Sequence, residues 1–265
     1  MASQRYTFEN TRGEQLAAYL DKPDGTPAAY ALFAHCFTCG KNLKPIVNIN
    51  KALTAHGIAV LRFDFTGIGE SEGDFSATNF TSNVEDLVAA SEFLSEEFAP
   101  PSLLIGHSMG GAAVIQSAHQ IPGARAVVTV AAPSHPNNLS GTLREIRGKA
   151  QEQGAAEVTI GGKTFTLRRQ FFEDLEQQRM EQFIQSLNLP LLILHDPGDE
   201  TVNIQNAAEI FQAAKHPKSY ISLDRAGHLM LEEDDARYTG DLIAVWSEKY
   251  LRNNPEETRK TMSHT

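Results

Sequence analysis

The sequence is short of cysteine, of positive charge and of long apolar runs, and each shortage excludes a class of protein. Only two of its 265 residues are cysteine, and the start, MASQRYTFEN, has no apolar leader. That argues against a secretion signal and against a disulfide scaffold. Lysine and arginine number 23 against 33 acidic residues, a net charge of −10. Such a surface repels phosphate backbones and anionic lipid, so neither nucleic acid nor membrane is an expected partner. No stretch approaches the roughly 18 apolar residues of a membrane span. Repeats and low-complexity tracts are missing too, and a cytoplasmic location is the expectation.

What is present is a rhythm. Arg5–Glu9 alternates, residues 10–13 turn, and Gln15–Leu20 returns, the pattern of a hairpin. Short apolar runs follow at 29–35, 58–64, 102–106, 126–132, 191–195 and 219–223. Runs apolar on both faces suit central parallel strands. Helical patterns separate them at 82–98, where Ser82 and Glu85 are spaced as a capping box, and at 109–120, 203–214 and 236–251. In the last, Leu242, Val245, Trp246 and Tyr250 form a candidate docking stripe. The alternation predicts an α/β fold with an eight-stranded, mostly parallel sheet flanked by helices. One segment breaks it. Residues 134–188 hold a hairpin pattern turning at Gly161-Gly162 and a run bearing Phe171, Phe172, Leu175 and Phe183. So long an excursion reads as a lid inserted into a core of residues 1–133 and 189–252, with a polar tail at 253–265.

The chemistry starts at GHSMGG, residues 106–111, which stands between a strand pattern and a helix pattern. A sharp strand-to-helix turn lifts the Ser108 hydroxyl above the sheet edge. Gly106 and Gly110 let the backbone crowd there, and the Met109 N–H at the helix start faces a developing oxyanion. A hydroxyl needs a base at neutral pH. His228 follows the last strand pattern and Asp199 the one before it, so both lie at carboxyl ends of neighbouring strands, on the edge that carries Ser108. Asp196 is the rival acid, with less reach, while Asp224 and Glu232 read as solvated charges. Of nine histidines, His35, His107 and His195 read as packed or loop-bracing. His56, His119, His216 and His264 read as helix, surface or tail positions, and His135 opens the insert as a candidate substrate contact.

Four motifs in order, AHCF, DFTGIGES, GHSMGG and HDPGDETV with GHLM, resemble the α/β-hydrolase superfamily over most of the chain. In that family the second motif is a loop bracing the sheet edge, matched by Asp64, Gly67, Gly69 and Ser71. The resemblance also implies that the loop after the third strand supplies the second oxyanion donor, here the Phe37 N–H. More narrowly, AHCFTCGKNLKPIVNI and LRFDFTGIGESEGDF resemble a bacterial subgroup often followed by an OsmC-like domain. The sequence has no such second domain up to Thr265, and it carries Asp196 where the family usually has Gly.

The resemblance leaves Cys36 and Cys39, a Cys-x-x-Cys beside His35, as compact apolar fillers of the oxyanion loop. A metal set would be cramped, and a thioredoxin-like pair needs a helix start directly after the first Cys. Reversible oxidation stays open and would strain the loop. The expectation is a serine hydrolase cleaving short- to medium-chain acyl or aryl esters through an acyl-enzyme, with no cofactor and no metal. Phe171 and Phe172 are candidate pocket residues, although they equally suit packing of the lid. Thioesters and amides use the same machinery. A binding module, a thiol-redox module using Cys36 and Cys39, and homodimerisation stay open.

Overall fold

The computed structural model describes residues 2–138, 141–160 and 162–252. Strands β1 (Ala2–Glu9) and β2 (Gln15–Lys22) pair antiparallel, as the N-terminal hairpin pattern requires. The parallel strands are β3 (Ala29–Ala34), β4 (Ile58–Phe63), β5 (Leu103–His107), β6 (Ala126–Val130), β9 (Leu191–His195) and β10 (Lys218–Ser222). The eight-stranded sheet has the order β1-β2-β4-β3-β5-β6-β9-β10. The α/β expectation is met. The strand at 219–223 departs from the central type, because β10 lies at the sheet edge with Tyr220 40% exposed.

Side chains alternate between two cores, as period-2 strands must. On one face Ala31, Phe33, Val60, Leu103, Ile105 and Val128 pack against α1 (Lys44–Ala55) and α8 (Glu233–Arg252). On the other, Leu32, Ala34, Leu61, Leu104 and Val127 meet α2 (Phe80–Glu97), α3 (Met109–Ser117) and α7 (Gln205–Ala213). Within α8, Leu242, Trp246 and Tyr250 pack on the core as expected. Val245 does not: it points outward, 64% exposed, and Ile243 and Ala244 take the buried positions. The capping box of α2 is also shifted. Asn79 is the N-cap and pairs reciprocally with Ser82, whereas Glu85 reaches across to Arg12.

Strand β6 is hydrogen-bonded directly to β9, so everything between them is an excursion from the sheet. It contains α4 (Gly141–Gln153), the hairpin β7 (Ala155–Ile160) and β8 (Lys163–Arg168), α5 (Arg169–Gln177) and α6 (Met180–Ser186). Gly162 has the positive φ of the expected turn, while Gly161 and the tail 253–265 lie outside the described residues. The excursion is pinned to the core. Phe171, Phe172 and Leu175 belong to the same buried cluster as α2 and α3, and Asp174 accepts hydrogen bonds from Thr81 N–H and Oγ–H at the start of α2.

Candidate active site

Strand β3 pairs with both β4 and β5, so the chain reverses direction across the sheet at their carboxyl ends, the place where such sheets hold ligands. Ser108 sits there, between β5 and α3, with φ 54° and ψ −125°. A non-glycine residue held at that φ is strained, and the turn over-determines it. Ser108 N–H donates to Val130 O and Gly111 N–H to Ser108 O, both at 2.8 Å. A Cβ on Gly106 would overlap the Gly110 carbonyl, and one on Gly110 would overlap the carbonyls of Ala34 and His35. Both glycines are needed for the backbone to pass this closely.

The Ser108 hydroxyl meets an imidazole. Ser108 Oγ lies 3.0 Å from His228 Nε2, and His228 Nδ1 lies 2.8 Å from Asp199 Oδ2. The carboxylate fixes the tautomer: Nδ1–H donates to Asp199, leaving Nε2 to accept from Ser108 Oγ–H. Asp199 also accepts from Thr201 and Val202 N–H, each at 2.8 Å. Burial alone would raise its pKa. Hydrogen bonds from His195, His228 and the Val202 N–H outweigh that and hold the carboxyl far below the ordinary range. Asp196 does not touch the imidazole. It accepts from Gly198 and Gly227 N–H instead. Asp224 is exposed and bonded to Ser222, and Glu232 is exposed.

The other histidines brace loops or pack. His35 Nδ1–H donates to Cys36 O at 2.8 Å, and His195 Nε2 contacts Val202 O at 2.8 Å. His107 Nε2 contacts His228 O at 2.7 Å. His56 pairs with Asp241, and His119 stacks on Phe183.

Phe37 and Met109 line one small apolar cavity with Phe65, Ile68 and Phe75, of about 10 Å³. Met109 opens α3, where the first N–H groups have no intrahelical partner. The loop carrying Phe37 is held by groups the sequence did not flag. Lys41, 1% exposed, forms an ion pair with Asp64 at 2.5 Å and one with Glu70 at 2.7 Å. Arg62, buried against Asp21, donates to Lys41 O at 2.7 Å. Asp64 thus anchors this loop as well as its own, where it accepts from Glu70 N–H. A lone Lys in CGKN gives no sequence signal of such burial.

One expectation is corrected here. Cys36 and Cys39 are joined by a disulfide rather than standing as separate fillers. The turn that returns Cys39 N–H to Cys36 O brings their Cα atoms to 5.3 Å, within disulfide range. The candidate substrate contacts His135, Phe171 and Phe172 have the following partners. His135 uses both ring nitrogens, Nε2 on Gln178 O and Nδ1 accepting from Asn137 N–H, at the edge of a groove that also includes Ser134, Glu181 and Glu209. Phe172 is fully buried, and Phe171, 3% exposed, packs on Phe37 with ring centroids 5.2 Å apart. Their size and position seat the insert on the loop carrying Phe37.

Residues 39–153 match the family described as serine aminopeptidase, S33. Human monoglyceride lipase is 29% identical, the alignment covering 89% of this chain and 88% of the relative. Among solved structures, the esterase domain of a Rhodothermus marinus protein is 48% identical with a TM-score of 0.77, covering 95% of this chain and 100% of that one. The chain belongs to the α/β-hydrolase superfamily. This α/β hydrolase is of the esterase/lipase type. Its fold is shared at lower identity, 19%, by Est1E from Butyrivibrio proteoclasticus in a ferulic acid complex, with a TM-score of 0.77 over 94% of this chain and 100% of that one.

Proposed function

We propose that the protein is a serine carboxylesterase acting on short- to medium-chain acyl or aryl esters through an acyl-enzyme. The observation that carries this is the continuous chain Ser108 Oγ–His228–Asp199, at 3.0 and 2.8 Å, on a strained elbow. Ser108 Oγ attacks the ester carbonyl while His228 Nε2 takes its proton, and Asp199 steadies the imidazolium that forms. The carbonyl oxygen, now negative, is received by the N–H groups of Phe37 and Met109. Such donors are worth roughly 10²–10³ in rate each. His228 then passes its proton to the leaving alcohol. Water repeats the sequence on the acyl-enzyme and frees the acid.

Phe37 packs on both Phe75 and Phe171, and this aromatic crowding beside Met109 leaves little room for a long acyl chain. One relative's name, monoglyceride lipase, is that of an ester hydrolase. The insert acts as a cap whose seat on Phe37 links it to the oxyanion loop. Amide cleavage is the second reading, favoured by the match to a serine aminopeptidase family. Matched p-nitrophenyl ester and p-nitroanilide substrates separate the two: the esterase reading expects turnover of the ester and little of the anilide.

The disulfide favours one reading of another class, a thiol-redox module. As an esterase, the folded Cys36→Ser variant is expected to keep fluorophosphonate labelling of Ser108. Dithiol exchange proceeding in Ser108→Ala, together with no labelling of the wild type, would favour the redox module instead.

A further inference from the structure

His228 sits where regular structure gives it little support. The segment after β10 runs through three residues of positive φ, Arg225, Gly227 and Met230. Two side chains grip its backbone at either end of the 227–228 pair. The Gly227 N–H donates to Asp196 Oδ2 at 2.5 Å, and the His228 carbonyl accepts from His107 Nε2–H at 2.7 Å.

Asp196 holds more than one loop. Its Oδ1 accepts from Gly198 N–H at 2.8 Å, and its own carbonyl accepts from Asp199 N–H at 3.1 Å. One buried carboxylate, 5% exposed, therefore shapes the turn carrying Asp199 and ties it to the turn carrying His228. Hydrogen bonds to an ionised acceptor are short and strong. A glycine at 196 would remove this link and leave the His228–Asp199 hydrogen bond to join the two loops.

His107 tells the same story from the other side. Its ring is 1% exposed, and its Nδ1 has no partner among the described residues. Burial, then the neighbouring His228, push its pKa down to about 3, so the ring is neutral near pH 7 and carries one proton. The carbonyl it faces is an acceptor only, which places that proton on Nε2. A buried ring with one orphan nitrogen is a poor packing choice unless its other nitrogen is needed.

We propose that Asp196 and His107 are positioning residues that hold the backbone on both sides of His228, and so set the Ser108–His228–Asp199 geometry. This rests on the reading of those three residues as a triad. The test uses the whole chain and p-nitrophenyl butyrate, with the variants Asp196→Ala, Asp196→Asn, His107→Leu and His107→Gln. Three readouts are taken: kcat and KM separately, melting temperature, and the downfield proton resonance of the His228–Asp199 hydrogen bond.

Asp196→Ala and His107→Leu are expected to lower kcat about ten- to a hundredfold, the cost of a misplaced base, with KM within about twofold. The downfield resonance should broaden or vanish. His107→Gln, which keeps an N–H donor, should recover most of the kcat lost in the leucine variant. Folded variants with wild-type kcat and an unchanged resonance overturn the proposal. So does a glutamine variant that is folded yet no better than the leucine one. Should Asp196→Ala and His107→Leu fail to fold, Asp196→Asn decides: one oxygen left for two N–H donors is expected to lower kcat several-fold, and wild-type kcat there overturns the proposal. His228→Ala is the control. An inactive wild type, or an active His228→Ala, means that the triad reading has failed, separately from any effect of Asp196 or His107.

Discussion

Several groups here are held in states that an exposed residue would not adopt. Ser108 keeps a left-handed φ because Gly106 and Gly110 leave no room for relaxation of the turn. His35 and His107 are kept neutral by burial, His107 with a pKa near 3 against an ordinary 6.5. The unfolded chain takes up the His107 proton from about pH 6.5 downward while the folded chain does not. Stability is therefore present in full above 6.5 and falls as the pH drops from 6.5 towards 3. In thermal melts across that window, His107→Gln is expected to show a shallower loss than wild type. Identical slopes would mean that His107 is protonated in the folded protein without penalty. The crowded glycine turn and a packed or bracing His107 were readable from GHSMGG, but not that the His107 ring is sealed against the turn carrying His228, 121 positions away.

Among the elements, the start of α2 joins the insert to the core. Its N-terminal N–H groups are shared between two caps, Asn79 serving Ser82 N–H and Asp174, from α5, serving Thr81 N–H. A carboxylate at a helix N-terminus is favoured by both the hydrogen bond and the dipole. Asp174→Ala is expected to cost about 0.5–2 kcal/mol and to raise the rate of proteolysis within residues 134–188. Unchanged cleavage would mean that the apolar seat of Phe171 and Phe172 holds the insert alone. The capping spacing read from the sequence, Ser82 with Glu85, lies three residues beyond the cap that forms, Asn79 with Ser82, and Glu85 is taken instead by Arg12 from the first hairpin. Helix α4 was hidden by its two glycines, although Ile146 and Ala150, four apart and buried, carry its packing face.

Over the whole molecule, the parallel strands place the loop carrying Phe37 together with Ser108, Asp199 and His228 at one edge of the sheet, after β3, β5, β9 and β10. That much was legible, because strand runs and the residues directly after them are local patterns whose order fixes where chain ends meet. The contacts that hold the edge together were not. Asp196 with Gly227, Lys41 with Asp64 and Phe37 with Phe171 each join segments far apart in sequence, and no spacing records them. The disulfide is local, three residues apart, yet it too was not fixed by pattern, since a Cys-x-x-Cys spacing does not state whether the turn closes. The measurement that tests the central claim most directly is hydrolysis of p-nitrophenyl esters across acyl lengths by wild type and by Ser108→Ala. The account predicts turnover that is highest on short to medium chains, and a loss in kcat of about three or more orders of magnitude in the variant. Equal rates in the two proteins, or a silent wild type that a fluorophosphonate fails to label at Ser108, would contradict it.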